Sequence, residues 1–176
     1  MPARSGFTDV LFARDRVRRR GEGRYQVRLR PNERALVEDL VGQLREQLVA
    51  STDDPSVRRL FPPAYADDPE RDAGYQVLTR DELLEQRLAA LDVVERTLDG
   101  GDLDAGEMTA WMGTLNSLRL VLGTRLDVDE ELPDLDPADP QAPAYAVYEY
   151  LGWLLSQVVD ALGSDLPPPS SDARRS

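Results

Sequence analysis

Residues 16–50 read RVRRRGEGRYQVRLRPNERALVEDLVGQLREQLVA, and the spacing of their apolar side chains changes at Pro31. Before the proline, the apolar residues from Tyr25 to Leu29 alternate with arginine and glutamine, which is the period of two that a half-buried β-strand requires. After it, apolar residues recur every three or four positions, as on the buried face of an α-helix. The stretch therefore predicts a β-strand that is followed directly by a helix over residues 31–50.

The strand is expected to form one half of a β-hairpin over residues 7–30. Its partner strand is predicted at residues 7–18, and the glycines at positions 21 and 23 can supply the positive φ angles of a tight turn. The alternation leaves one apolar face and one face of arginines. Because an isolated two-stranded hairpin is only marginally stable in water, we expect the apolar face to pack on helices.

Aspartate–proline pairs mark the starts of two further helices. At residues 54–55 and 68–69, the aspartate can cap a helix while the proline occupies the first helical position. The first of these helices is expected to end near residue 60. The sequence TRDE at residues 79–82 matches a capping box, so a separate long helix is predicted to begin there and to end at the Gly-Gly pair of residues 100–101.

Two more helices are predicted in the C-terminal half. Asp104 is expected to cap a helix that extends to about residue 126, and the last helix is expected over residues 143–162 with Gly163 as its cap. We expect the apolar residues that recur at helical spacing, together with Trp153, to lie in the core. In the first of these two helices they are Met108, Trp111, Met112, Leu115, Leu118 and Leu122.

The predicted fold is therefore mainly α, a bundle of about five helices with an N-terminal β-hairpin docked on it. Residues 7–163 are expected to form a single domain, with the hairpin over residues 7–30. Residues 1–6 and 164–176 are expected to be disordered, and the C-terminal tail in particular is polar and rich in proline.

Charge is distributed unevenly along the chain. The first thirty residues contain nine arginines and three acidic residues, a net charge of +6. The other 146 residues contain twelve arginines and thirty acidic residues, a net charge of −18, and the two parts sum to the −12 of the whole chain. An arginine-rich segment of this kind favours phosphate groups or acidic protein surfaces.

The arginines of the hairpin are the candidate partner-binding residues. They are Arg14, Arg16, Arg18, Arg19, Arg20, Arg24, Arg28 and Arg30. Three interpretations are open: the arginines pair with the acidic body of the same chain, they bind an acidic partner protein, or they bind nucleic acid with a salt-dependent affinity. The negative charge of the body disfavours wrapping a duplex, and no other segment resembles an arginine-rich recognition helix.

The absence of three reactive residue types excludes several kinds of catalytic and metal-binding site. The chain contains no Cys, no His and no Lys. A thiol nucleophile, a Ser-His triad, a zinc site with the usual ligands, a lysine Schiff base and a Walker-type phosphate loop are therefore excluded. We expect a protein that is not an enzyme and uses no cofactor, and an enzyme that works with carboxylates alone is the alternative.

The acidic stretch over residues 127–139 is the candidate for a metal site. Carboxylate oxygens suit Ca²⁺ or Mg²⁺. However, neither this stretch nor Asp99, Asp102 and Asp104 has the glycine and terminal glutamate of an EF-hand loop. We expect these residues to cap helices and to keep the surface solvated, and we predict no metal site.

The apolar runs of this chain are short. None approaches the roughly 18 residues that a membrane-spanning helix needs. The N-terminal residues also lack the apolar segment and the cleavage site of a secretory signal. We therefore expect a cytoplasmic protein without a membrane partner.

Four segments together resemble a known family. They read PNER (residues 31–34), LTRDELL (78–84), LAALD (88–92) and WMGTLNSLRLVLGTRL (111–126). With them, the sequence resembles an actinobacterial family of domains of unknown function that is often encoded beside the ClpS adaptor of the Clp protease. The resemblance implies a role in regulating the oxidative-stress response through contact with the transcription machinery, such as a stress sigma factor, and no agreed enzymatic activity.

These observations lead to the hypothesis of a cytoplasmic, non-enzymatic regulatory or adaptor protein that acts by protein contact. A component of transcription or of Clp proteolysis is the expected partner, nucleic acid is the alternative, and the oligomeric state is open, a homodimer included. Thiol-based redox sensing is excluded because the chain has no cysteine. Met108 and Met112 are weaker oxidation targets that we expect to be buried.

Overall fold

The computed structural model describes residues 15–50, 54–65, 67–128 and 136–164, and the change of period at Pro31 is the junction between strand and helix. Before the junction, strands β1 (Val17–Gly21) and β2 (Arg24–Val27) form an antiparallel hairpin. Val17 lies opposite Val27, and Arg19 lies opposite Tyr25. The predicted N-terminal hairpin is thus confirmed.

The first strand extends further towards the turn than expected, to Gly21 instead of residue 18. Residues 7–14 are outside the described residues, and regular pairing begins at Val17 and extends to Gly21. The turn is therefore shorter than predicted, and Gly23 in it has a φ of 59°, a left-handed conformation that costs glycine little. The pairing is irregular between Arg19 and Gly21, so Arg20 is an extra residue that lets β1 continue to the turn.

Five helices follow the hairpin in the described ranges: α1 (Pro31–Ala50), α2 (Pro55–Arg58), α3 (Pro69–Thr97), α4 (Ala105–Arg125) and α5 (Ala142–Gly163). Three predicted caps are confirmed. Asp54 and Asp68 accept hydrogen bonds from backbone N–H groups of the first turn, and Asp104 forms a reciprocal capping box with Glu107. The mainly α architecture with a docked hairpin is as predicted.

The predicted helix start at residues 79–82 is wrong, because α3 continues through them without interruption. The hydroxyl of Thr79 donates to the carbonyl oxygen of Tyr75 at 2.9 Å, one turn earlier in the same helix. Threonine can satisfy its hydroxyl in this way inside a helix, so the TRDE sequence does not distinguish a cap from a helix interior. The end of α5 also differs from its prediction, since Gly163 is its last helical residue and Ser164 is the C-cap.

Helix α4 forms much of the core because it packs against both α3 and α5. Met108, Trp111 and Leu115 are fully buried on it. The indole N–H of Trp111 donates to Thr97 Oγ1 at 2.8 Å, which satisfies its polar atom. Three residues that we expected in the core are only partly buried: Met112, Leu122 and Trp153.

The hairpin docks on the helices through β2, as predicted. Tyr25 and Val27 are buried in the common core. After α3, Gly100 and Gly101 have φ angles of 89° and 126° and redirect the chain towards the strand. Leu103 then exchanges two backbone hydrogen bonds with Tyr25, with N···O distances of 2.9 and 2.8 Å, and so covers part of the outer edge of β2.

None of the helices in the described ranges combines the length and the apolar character needed to cross a bilayer. The segments for which we predict disorder, residues 1–6 and the tail after Ser164, lie outside the described residues.

Candidate functional site

Five arginines are exposed on the hairpin. Strand β1 is exposed from Arg18 onwards because only its first residue, Val17, reaches the core. In β2, Tyr25 and Val27 are buried, so the residues that alternate with them point away from the core. We call the exposed set the arginine surface: Arg18, Arg19, Arg20, Arg24 and Arg28.

The other three candidate arginines are not part of this surface. Arg14 lies outside the described residues. Arg16 is buried, with 4% of its surface exposed. Arg30 is half-buried at the junction with α1, where its backbone N–H donates to Glu33 Oε2 at 2.8 Å. The structure thus brings together five of the eight predicted residues.

Four arginines of the arginine surface have no counter-charge among the described residues. Within the described ranges, no carboxylate forms an ion pair with Arg18, Arg20, Arg24 or Arg28. The acidic side chains of the helices pair instead with arginines of other helices. Arg45 on α1, for example, contacts Asp92 at 2.6 Å and Glu95 at 2.9 Å on α3. Arg16 does pair with an acidic residue of the same chain, Glu33, so the interpretation that the arginines pair with the acidic body applies to Arg16.

Arg16 and Glu33 form a buried ion pair that joins the hairpin to α1. Arg16 Nε lies 2.7 Å from Glu33 Oε2, and its terminal nitrogen NH2 lies 2.9 Å from Oε1. Their side chains are only 5% and 2% exposed. Because Glu33 is in the first turn of α1 and also accepts the Arg30 N–H, one carboxylate both caps the helix and neutralises the buried guanidinium.

The protonation of this pair follows from its contacts. Burial alone would raise the pKa of Glu33, but the hydrogen bonds from Arg16 and from the Arg30 N–H outweigh burial and lower that pKa below its usual value. The same hydrogen bond to Glu33 raises the pKa of Arg16. Both side chains are therefore charged at neutral pH.

Helix α5 holds the other side of the Arg16 segment. Gln157 Oε1 accepts the backbone N–H groups of Arg16 and Val17, at 2.6 and 3.2 Å. The guanidinium of Arg16 also lies over the ring of Trp153, 5.6 Å from its centroid. The start of β1 is thus held between α1 and α5, and the arginine surface follows directly after this anchored segment.

A polar cleft of about 570 Å³ lies beside the arginine surface. It is lined by β2, the start of α1 and the link after α3, and Arg28 is on its wall. Arg34 and Asp99 form an exposed ion pair in the same cleft. The cleft gives the hairpin a concave edge where an acidic side chain of a partner can contact Arg28.

Sequence reasoning missed the two residues that anchor this surface. Glu33 looks like one more solvated acidic residue, and its only signal is its position in the first turn of α1, where glutamate favours capping. Gln157 has no comparable signal, because its role depends on a contact with a residue 141 positions away.

In the described ranges, the acidic residues form no group of three or more that could hold a metal ion. Residues 129–135 of the acidic stretch lie outside those ranges.

The sequence profile of the family described as "Domain of unknown function (DUF2017)" matches residues 14–162, which include both the hairpin and all the helices named above. The chain belongs to this family. The DUF2017 match begins at the first candidate arginine and ends in α5, so the arginine surface lies inside the matched region.

Relatives of this DUF2017 protein carry a functional name. The "Oxidative stress regulator AosR" of Mycobacterium tuberculosis and that of Mycobacterium bovis are each 27% identical over 195 residues, which cover 88% of this chain and 89% of the relative. A relative from Mycobacterium leprae is 30% identical over 128 residues, 62% of this chain and 59% of its own. No solved structure matches the chain. Relatives named as oxidative stress regulators agree with a regulatory role.

Proposed function

We propose that this chain is a cytoplasmic, non-enzymatic regulatory protein that binds an acidic surface of a partner protein through its arginine surface. The observation that carries the proposal is a set of exposed arginines with no described counter-charge, in a chain whose net charge is −12. In so acidic a protein, carboxylates are abundant, yet none in the described part of the chain pairs with Arg18, Arg20, Arg24 or Arg28. An acidic group of a partner can neutralise these guanidinium charges.

A component of the transcription machinery that acts in the stress response is the proposed partner, and a component of Clp proteolysis is the second candidate. The support is the name that the mycobacterial relatives carry, oxidative stress regulator. A thiol switch cannot control this chain, because it has no cysteine. We therefore propose that the protein receives its stress signal through a partner or a ligand rather than by its own oxidation.

Nucleic acid is the alternative occupant of the arginine surface. Guanidinium groups bind phosphate as well as carboxylate, so the surface chemistry alone does not separate the two. The acidic helices behind the hairpin favour protein, because a long polyanion that extends beyond five arginines meets net negative charge.

The test compares two charge reversals of equal size. The double variant Arg18→Glu/Arg20→Glu changes the arginine surface, and Arg58→Glu/Arg59→Glu changes two exposed arginines near the end of α2. Partners captured from an actinobacterial lysate by the wild-type protein are identified by mass spectrometry, purified, and titrated against all three proteins. We expect the hairpin variant to bind its partner at least about tenfold more weakly and the α2 variant to bind like wild type.

Equal binding by all three proteins would contradict the proposed role of the hairpin. A gel-shift titration with DNA and RNA at low salt completes the design. Binding of nucleic acid that weakens steeply with salt, and that the hairpin variant loses, would replace the protein partner with the alternative.

A further inference from the structure

A cavity away from the hairpin is the second feature of the described residues that has the character of a binding site. Helices α1, α3 and α4 line a pocket, open on one side, of about 340 Å³, a volume within the range of small-molecule sites, roughly 300–1,000 Å³. Leu44, Leu48, Leu83 and Leu91 contribute apolar walls, and Arg87 contributes a charge. No residue of the hairpin lines it.

Arg87 brings a positive charge to this cavity, and its described partners are all uncharged. Its NH1 nitrogen donates to Ser117 Oγ at 3.0 Å, its NH2 nitrogen donates to the carbonyl oxygen of Leu60, and its guanidinium lies 5.5 Å from the centroid of the Phe61 ring. Both hydrogen-bond acceptors are neutral, and within the described ranges no carboxylate pairs with this side chain.

The charge of Arg87 is also incompletely solvated. Its Nε is buried without a hydrogen-bond partner in the described ranges. Burial lowers the pKa of this arginine, although a guanidinium remains charged at neutral pH. Half-buried cations are normally compensated by an anion, so the missing charge is one that a ligand can supply.

Thr114 provides a second unsatisfied group on the same wall. It is 2% exposed, and its hydroxyl oxygen has no hydrogen-bond partner in the described part of the chain. Two neighbours on α4 behave differently, since Thr109 and Ser117 each donate to the carbonyl oxygen four residues earlier, at 2.7 and 2.8 Å. The hydroxyl of Thr114 therefore has unused hydrogen-bonding capacity, and its oxygen is buried in the wall of the pocket.

We propose that this cavity binds a small apolar carboxylic acid in its anionic form, with the carboxylate at Arg87 and Thr114 and the hydrocarbon part against the four leucines. A carboxylate carries the single negative charge that one guanidinium compensates, whereas a phosphate dianion would bring excess charge into an apolar cavity. No residue of the arginine surface lines this site. If the carboxylic acid does not bind, the proposed protein contact is therefore unaffected.

The primary test is titration calorimetry of the full-length protein with straight-chain carboxylates from butanoate to decanoate and with the primary alcohols of the same lengths. We expect saturable one-to-one binding for at least one carboxylate. The alcohol of the same length should bind at least about tenfold more weakly, because it lacks the charge that Arg87 requires. If no carboxylate in the series saturates the wild-type protein, the proposal is wrong.

Variants locate the binding in this cavity. A Cβ placed on Gly113, which lines the cavity, meets no other heavy atom within 4 Å, so Gly113→Leu can fill the space without a clash at its Cβ. Gly74 on α3 is equally open and does not line the cavity, and Gly74→Leu is the matched control. Loss of carboxylate binding in the first variant and retention in the second are expected, and equal binding in both would overturn the proposal.

Two further variants test the polar contacts. Arg87→Met keeps an apolar stem and should reduce the preference for carboxylate over alcohol by about tenfold. Thr114→Val removes a hydroxyl without a described partner, so the protein should stay folded while carboxylate binding weakens. An unchanged preference in Arg87→Met, or unchanged binding in Thr114→Val, would contradict the assigned contacts even if one of the two variants were too unstable to measure.

Discussion

Arg16 and Arg18 are two positions apart in the same arginine-rich run, yet their environments are opposite. Arg18 is exposed on β1, whereas Arg16 is buried against Glu33, Trp153 and the N-terminal turn of α1. Removing a guanidinium from water is costly, and only a bidentate carboxylate with further hydrogen bonds compensates for it. The position of one glutamate therefore accounts for the burial of Arg16, while Arg18 stays exposed to solvent.

Removal of the Glu33 charge should destabilise the fold strongly. In Glu33→Gln, the buried guanidinium of Arg16 loses its counter-charge, and we expect the free energy of unfolding to fall by about 3 kcal/mol. Urea unfolding followed by circular dichroism measures it. The control is Tyr150→Phe nearby, whose buried hydroxyl has no hydrogen-bond partner in the described ranges and whose loss should change stability by less than about 1 kcal/mol. Equal effects of the two substitutions would contradict this assignment.

A single methyl group at position 113 should stabilise the protein. Gly113 lies in the middle of α4 with helical backbone angles and open space around its Cβ position. Gly113→Ala should therefore raise the free energy of unfolding by about 0.5–1 kcal/mol, because alanine loses less backbone entropy in a helix. Thermal and urea unfolding would both report the gain, and a loss of stability would show that the space around α4 is smaller than described.

At the scale of elements, the caps show how local sequence and tertiary structure share the control of helix boundaries. Asp68 and Asp104 end non-helical segments and cap α3 and α4, and the two glycines after α3 end it with positive φ angles. Thr79 has the same local sequence character as a cap but lies inside a helix that had already begun at Pro69. Once a helix is nucleated, extension is favourable, so a later start signal has no effect.

Two alanine substitutions separate these cases. Asp104→Ala should lower the free energy of unfolding by about 1 kcal/mol, because it removes the side-chain oxygen that accepts the Glu107 backbone N–H, while the Asp104 backbone N–H can still donate to Glu107. Thr79→Ala should leave stability unchanged or raise it by up to about 0.5 kcal/mol, since alanine is the better residue for a helix interior. Urea titrations of both variants test the difference. A clear destabilisation by Thr79→Ala would mean that a helix boundary exists near residue 79 after all.

At the scale of the whole molecule, charge and architecture are coupled. The acidic helices neutralise arginines of their own, such as Arg45 and Arg96, while the hairpin is held to them by Arg16 and by the Tyr25–Leu103 backbone pair. The contacts that hold the hairpin to α1 and α5 therefore include one ionised carboxylate, that of Glu33.

Low pH should reduce the free energy of unfolding through the protonation of Glu33. The pKa of Glu33 is lower in the folded protein than its ordinary value of 4.5, so the folded state binds a proton less readily than the unfolded chain. The stabilisation by the ion pair is therefore complete above about pH 4.5 and is lost as the pH falls through the lowered pKa of the folded state. Unfolding free energies measured from pH 7 to pH 3 should decline more steeply for wild type than for Glu33→Gln, and parallel curves would contradict the prediction.

Local sequence accounts for much of the architecture. The alternation before Pro31, the helical period after it and the capping aspartates predict the second strand and four of the five helix starts, because these signals act between residues a few positions apart. The first strand was predicted to end before it does and α3 was divided in two, since the extent of an element depends on what it packs against. The exposure of Arg24 and Arg28 could likewise be predicted from strand alternation, whereas the consecutive Arg18, Arg19 and Arg20 are exposed because only Val17 of β1 reaches the core.

Pairing between distant residues was decided by the tertiary structure alone. Arg16 is buried because folding brings it to Glu33 on α1 and to Gln157, 141 positions away on α5. Arg87 and Thr114 share a cavity because α3 and α4 pack side by side with α1. The sequence by itself thus determined which elements form and where charge is concentrated, whereas packing determined which charges are neutralised, since burial and counter-charge arise only when distant segments meet.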